Sequence, residues 1–430
     1  MKILFVYPRF QRHADSNPEL REYVPMKEYL GSPSLGIASV AAATPAGWEV
    51  EYRDDRLADA SGETDADLVA LSFFTPAATR ALELADGFRA QGKTVVAGGI
   101  FPTMMPEEVQ PHVDAVVLGE GEAVWPTLLA DLQAGRLQAR YGPVLCDLDS
   151  APAPRTSLYI DAEQEGFQPD DYPLQVSRGC PMSCVACALP GTMGARLRPF
   201  PLSHVLAQLD ALEARGKRAC LTEDTGWFTT TQAGRRMGEL FDTIARRGQG
   251  MAISYVGISM PMILAAGDRW LSRARAAGVD MFYLVGGFDP ITTRAFTGQD
   301  ALALKRAEEA IARCHAHGIE PYTSFLLGNE DDDEGTVDRM LEFSTRAGIR
   351  KAEFAIFTPY PGTPAWLRLQ EEGRILSRRW EHYNDANVVF QPKRMSVQAL
   401  RDGYLRLWRE FYAARPEVHQ MGEAERTIQF

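Results

Sequence analysis

The sequence predicts an α/β protein: a Rossmann-like parallel sheet at the amino end, a partial (β/α)6 TIM-type barrel after it, and a helical extension at the carboxyl end. Three observations carry this. Apolar runs alternate with helix-period segments through residues 1–135; a stretch rich in Pro, Asp and Ser, Asp147–Pro173, then interrupts the alternation; and from Leu174 it resumes for six further units. At 430 residues the chain is long enough for two such cores and an extension. The division read from these shifts is 1–145, a linker at 146–172, a barrel at 173–370 and an extension at 371–430.

In the first part, strands are expected at Lys2–Tyr7, Val50–Arg53, Leu68–Phe73, Thr94–Ala97 and Ala115–Leu118, with helices near 35–43, 77–91 and 122–134. The opening run is too short before Pro8 for a secretory leader and reads as a buried strand. Ala151-Pro152-Ala153-Pro154 marks the linker. Barrel strands are expected near 174–178, 218–223, 251–256, 281–286, 320–327 and 351–357, the first five each followed by a helical segment. A barrel of this kind places its active site at the carboxyl ends of its strands. In the extension, Leu400, Tyr404, Leu407, Trp408 and Phe411 fall at helical spacing and mark the core face of a helix over 397–413, a carboxy-terminal cap.

Charge and cysteine usage exclude several classes. A net charge of -12 sets the field of the protein against a phosphate backbone, so no nucleic-acid partner is expected. No apolar run approaches the roughly 20 residues of a membrane-spanning helix. The six cysteines, three clustered and Cys146, Cys220 and Cys314 scattered, do not form a secreted disulfide framework and suit a reducing cytoplasm. The scattered three read as buried structural thiols.

The clustered three carry the chemistry. Ser177-Arg178-Gly179-Cys180-Pro181-Met182-Ser183-Cys184-Val185-Ala186-Cys187 puts three thiols on one loop after the first expected barrel strand. Three thiolates can ligate three irons of a [4Fe–4S] cubane and leave the fourth open to a ligand. Structural zinc is the competing reading, but it wants four protein ligands, and the nearest histidine in sequence is His204. The C-x3-C-x2-C pattern at this place resembles the radical S-adenosylmethionine (SAM) superfamily, whose enzymes reductively cleave SAM to a 5′-deoxyadenosyl radical. Ala186 stands where many members carry an aromatic residue, so it is given no adenine contact.

The resemblance implies further roles at the barrel mouth. Glu223 and Asp224, ending the second strand, would receive the SAM ammonium; the alternative is a solvated pair at a strand end. Gly286 and Gly287, before Phe288-Asp289, would let SAM approach the backbone of the fourth strand; a plain turn is the alternative. Gly328 and Thr358, ending strands five and six, would line the adenine and substrate side. The acidic run Glu330–Glu334 reads as the lead into a helix N-terminus.

A Rossmann-like domain ahead of such a barrel resembles the cobalamin-binding radical SAM enzymes. Ser72 and Thr75 after the third strand, Gly98 and Gly99 after the fourth, and Gly119 and Glu120 after the fifth would contact the corrinoid. A fold that has lost the ligand is the alternative. Arg53-Asp54-Asp55-Arg56-Leu57-Ala58 stands where a D-x-H-x-x-G segment would place a histidine under cobalt, and has none; His13 is only a remote substitute. In the tail, Trp380-Glu381-His382-Tyr383-Asn384-Asp385 and Val388-Val389-Phe390 resemble the subgroup that includes hopanoid and bacteriochlorophyll C-methylating enzymes. The implied cofactors are a [4Fe–4S] cluster, SAM and cobalamin, and the implied partners are a small-molecule substrate and a flavodoxin- or ferredoxin-type electron donor. C-methylation of an unactivated carbon leads, against radical cyclisation, rearrangement or oxidation without methyl transfer, and against a non-catalytic corrinoid or cluster carrier. A tRNA methylthiotransferase is disfavoured, because residues 1–145 contain no cysteine at all.

Overall fold

The computed structural model describes residues 1–23, 33–165, 167–182, 184–221, 231–248, 253–284, 296, 301–415 and 418. Its first sheet holds six parallel strands in the order β2-β1-β3-β4-β5-β6, with β1 Lys2–Tyr7, β2 Glu49–Asp54, β3 Leu68–Ser72, β4 Thr94–Gly98, β5 Ala115–Gly119 and β6 Arg140–Val144. Helices on both faces explain why β1 and β3 are near-continuous apolar runs, buried on each side. The order reverses between β1 and β3, and in open α/β sheets ligands settle at the carboxyl ends beside such a reversal. β6 was not expected from sequence: Gly142-Pro143 inside it reads as a turn, but an edge strand tolerates a proline.

The second sheet is an open barrel of six parallel strands in the order β14-β13-β12-β11-β10-β7. Five match expectation in place: β10 Arg218–Leu221, β11 Ile253–Ile258, β12 Met281–Leu284, β13 Glu320–Leu327 and β14 Lys351–Ile356. The first does not. β7 is Asp171–Pro173, upstream of the expected 174–178, and Leu174 donates one more bond to the Cys220 carbonyl before the chain leaves the sheet. Ser177–Arg178 (β8) instead pairs antiparallel with Arg198–Pro199 (β9).

Side-chain alternation gives this sheet two unlike faces. Phe282, Leu284, Phe325, Leu327, Phe354 and Ile356 join the main core under the helices. On the other face Cys220, Tyr255, Tyr283 and Tyr322 form a small cluster of their own. The register sets Tyr283 opposite Tyr322 and Ser324 opposite Glu353, so this face is polar and aromatic, as a ligand-lined interior requires.

The extension does two jobs. Helix Val397–Ala413 buries the expected stripe Leu400, Tyr404, Leu407, Trp408 and Phe411. It lies along β14, where Trp408 and Phe411 meet the Phe354 ring edge-on at 5.5 and 5.3 Å. Upstream, Trp380, Tyr383 and Val389 enter the same apolar cluster as Leu71 of β3 and Phe73 and Phe101 just beyond the first sheet. Asn384 Nδ2 donates to the Gln11 carbonyl at 3.0 Å and Asn17 Nδ2 to that of Ala386 at 2.8 Å, tying the tail to the loop after β1. No described helix is long and apolar enough to cross a membrane.

Candidate functional site

The three cysteines stand on a loop whose two feet are the β8/β9 pair, so residues 179–197 leave and return at one point. Gly179 opens the loop with φ +82°, and a Cβ there would lie 2.2 Å from the Arg196 carbonyl oxygen. Inside it, Cys180 N–H donates to the Gly194 carbonyl at 3.0 Å and Cys187 N–H to that of Cys184 at 3.2 Å. Cys180 Sγ accepts from Met182 N–H at 3.4 Å. Cys180 is buried, Cys184 and Cys187 are half-buried, and none is in a disulfide. Among the described residues no three His, Cys, Asp or Glu side chains are grouped as a ready-made metal site. The donor set nevertheless fits an iron–sulfur cubane in kind and number, and ligand loops take their final geometry from the metal they bind.

Buried charge anchors the feet of this loop. Arg178 Nη2 donates to Glu122 Oε1 at 2.5 Å, and its Nη1 lies 3.5 Å from Glu120 Oε2. Arg198 on β9 pairs with Glu120 as well, and donates to the Cys146 and Met193 carbonyls, each at 3.0 Å. Glu120, assigned to the corrinoid from sequence, therefore spends its carboxylate on the junction: it also accepts from Cys146 N–H at 2.6 Å. Sequence spacing carries no signal for partners this far apart along the chain.

The other first-sheet candidates gather at the carboxyl edge. Ser72 lies in register with Gly98, and its Oγ would stand 3.2 Å from a Cβ at either Gly36 or Gly99. Gly99 has φ +105° and leaves no room for a side chain, since a Cβ would meet the Phe73 carbonyl oxygen at 2.7 Å. Thr75 is buried in the turn Thr75–Ala77. Gly119 N–H donates to Thr103 Oγ1 at 2.9 Å, and Thr103 Oγ1 to the Gly99 carbonyl at 2.7 Å. This edge faces the cysteine loop. A Cβ on Gly119 would lie 3.4 Å from the Thr192 carbonyl oxygen, one on Gly191 3.1 Å from Met104 Sδ, and one on Gly362 3.0 Å from the Met104 carbonyl oxygen.

At the barrel mouth, Glu223, Asp224, Gly286 and Gly287 lie outside the described residues. Gly328 has φ +103°, and its bare face is taken by Leu400 and Phe390: a Cβ would stand 3.1 Å from Leu400 Cδ2. The acidic run after it precedes helix Thr336–Arg346 but spends most of its charge elsewhere: Glu330 pairs with Arg374 at 2.9 Å and Asp331 with Arg394 at 3.0 Å. Buried Asp332 accepts from the Gly328 and Asn329 N–H groups, both at 2.8 Å. Thr358 is buried and bonds its hydroxyl to the Ile356 carbonyl at 3.1 Å.

Two carboxyls that sequence reasoning did not single out lie on this side of the barrel: Asp385, hydrogen-bonded with Thr358, and Glu353, which feels the Asp385 charge. Tyr360 Oη donates to Asp385 Oδ1 at 2.8 Å, and Tyr283 Oη to Glu353 Oε1 at 2.6 Å. Burial pushes Asp385 up to about 6 and Glu353 up to about 7, against the hydrogen bonds they accept. The one available signal for Glu353 was a charge alternating with apolar residues in Lys351–Ile356. His13 also faces inward: burial holds it down at about 4, hence neutral, with Nδ1 3.1 Å from Tyr404 Oη.

Because the folded protein holds the Glu353 proton more tightly than the unfolded chain, this group's contribution is present below its ordinary value of 4.5 and is lost as pH rises through about 7. Glu353→Gln is therefore expected to melt a few degrees above wild type at pH 8, with the gap closing toward pH 5. Thermal denaturation at the two pH values checks the sign.

Comparison with known proteins finds likenesses to one group of enzymes. A model described as B12 binding domain matches residues 29–129, and a domain of unknown function (DUF4070) matches 363–418. The chain is 27% identical over 396 residues to bacteriochlorophyllide d C-8(2)-methyltransferase of Chlorobaculum tepidum, covering 88% of this chain and 85% of that protein. With hopanoid C-2 methylase of Rhodopseudomonas palustris it shares 23% identity, covering 90% and 73% respectively. The fold is that of TsrM from Kitasatospora setae, a radical SAM methyltransferase solved with cobalamin and a [4Fe–4S] cluster bound: TM-score 0.64, 18% identity, 86% of this chain and 75% of that one. The same protein solved with tryptophan and a SAM analogue gives a TM-score of 0.65. With the cysteine loop facing the carboxyl edge of a B12-type sheet, these likenesses converge: the chain is similar in sequence and in fold to the B12-binding radical SAM methyltransferases.

Proposed function

We propose that the protein is a cobalamin-dependent radical SAM C-methyltransferase acting on an unactivated carbon of a small-molecule or natural-product intermediate, in the cytoplasm, with a flavodoxin- or ferredoxin-type electron donor. The observation that carries this reading is the apposition of the two edges: Gly119 against Thr192 and Met104 against Gly191 bring the corrinoid-type edge directly onto the cysteine loop. When bound, the cluster would supply the electron that cleaves SAM and the corrinoid the methyl group, the hard chemistry in each case belonging to the cofactor.

The chain supplies placement. Cys180, Cys184 and Cys187 would hold the cluster, and Glu223, Asp224, Gly286, Gly287, Gly328 and Thr358 the SAM side. Ser72, Thr75, Gly98, Gly99 and Gly119 would shape the corrinoid edge, where glycine lets a large flat ligand reach the backbone. Glu353 and Asp385, each bonded by a tyrosine, put hydrogen-bonding groups inside an otherwise aromatic interior, which suits orienting a substrate with few polar handles.

The reading is tested with methyl-labelled SAM in protein reconstituted anaerobically with iron, sulfide and hydroxocobalamin and then reduced with dithionite. S-adenosylhomocysteine that forms only when cobalamin is added supports methyl transfer. Deoxyadenosine with no cobalamin-dependent S-adenosylhomocysteine would move the assignment to cyclisation, rearrangement or oxidation.

A further inference from the structure

Between the two sheets the described residues hold a densely buried group of opposite charges. The side chain of Glu120 is 0% exposed, Arg178 6% and Glu122 7%, and Arg198 is 21% exposed. Glu120 and Glu122 follow β5 of the first sheet; Arg178 and Arg198 are the two residues paired across β8 and β9 at the feet of the cysteine loop. Arg178 is separated from Cys180 only by Gly179. Burying this much charge is costly unless it is fully paired, and the best-attested return for such groups is a fixed register rather than stability.

The acidic side is itself wired to the corrinoid edge. From the Gly99 carbonyl the connection runs through Thr103 Oγ1 to Gly119 N–H, and the next residue is Glu120. Arg198 adds a brace across the loop, since it also holds the Met193 carbonyl beside Gly194, to whose carbonyl Cys180 N–H donates.

We propose that Glu120 is a positioning residue that clasps the cysteine loop to the first sheet through Arg178 and Arg198, so that the geometry of the loop depends on the B12-type domain. The proposal rests on the reading of that loop as the cluster site. Coupling of this kind is reciprocal: whatever stiffens the Gly99–Gly119 edge stiffens the loop, and the reverse.

The test compares wild type with Glu120→Gln, which keeps the shape and removes the charge, and with Glu122→Gln, which removes only the outer pair. Amide hydrogen exchange is followed in the apo-protein over residues 178–198, and the reduced, reconstituted proteins are examined by electron paramagnetic resonance with and without SAM. Glu120→Gln should exchange about tenfold or more faster in this segment while exchange in β1 and β3 is unchanged, and Glu122→Gln should fall between it and wild type. The SAM-induced change in the cluster spectrum should be altered in Glu120→Gln. Wild-type exchange in both variants, with a wild-type spectral response, would overturn the clasp. Faster exchange in variants of a protein that assembles no cluster even as wild type would leave the clasp standing and remove the cluster reading instead.

Discussion

Cys184→Ala is expected to abolish SAM cleavage, with 5′-deoxyadenosine falling about a hundredfold or more after anaerobic reconstitution and iron content falling with it. The reasoning is one of ligand count. A cubane held by three thiolates keeps one iron open; with two, the cluster loses an anchor, and the nearest histidine in sequence, His204, stands outside the loop on helix Leu202–Glu213. Cys184 is half-buried, and its main-chain contribution to the loop is a carbonyl that accepts from Cys187 N–H, which alanine retains. Melting should therefore stay near wild type in the apo-protein while iron, sulfide and deoxyadenosine are lost together. Retained iron with retained turnover would remove Cys184 from the ligand set.

Gly179→Ala is expected to cost about 3 kcal/mol or more and to lower cluster content with it. Left-handed backbone penalises any L side chain, and here the added Cβ would also meet three main-chain oxygens: Arg196 at 2.2 Å, Gly194 at 3.0 Å and Met193 at 3.0 Å. None is a flexible side-chain end. Relief requires opening the β8/β9 feet or breaking the Cys180 to Gly194 bond, both of which shape the loop. Gly373 is the matched control: its φ is +68° with nothing within 4 Å of a Cβ, so Gly373→Ala carries only the backbone penalty of about 1–2 kcal/mol. Denaturation midpoints with iron analysis separate the two. Equal midpoints for both variants would show that the crowding at Gly179 is relieved without cost.

What could be read from sequence was what depends on local pattern. Lys2–Tyr7 is recognisable as a strand from its apolar run, and the Leu400 to Phe411 stripe as a buried helix face. The strand that was not expected and the one that is displaced both carry a proline at a sheet edge: Pro143 in β6 and Pro173 in β7. A proline argues against a central strand but not against an edge, and sequence does not announce which strand is the edge. The cysteine spacing is local and legible. The partners of Glu120 are not, because Arg178 and Arg198 reach it only through the packing of one sheet against another's loop. Gly328 shows the converse: a strand-end glycine reads as space for a ligand, whereas its bare face receives Leu400. Glu353 and Asp385 gain their raised affinity for protons from burial, which a charge in an apolar strand only hints at.

The most direct measurement is chromatography of wild-type protein, carrying a reconstituted cluster and reduced with dithionite, after incubation with SAM. The account predicts 5′-deoxyadenosine and methionine in equal amounts, from an iron that three sulfur ligands leave open to SAM. An intact cluster that binds SAM and yields neither product would contradict it.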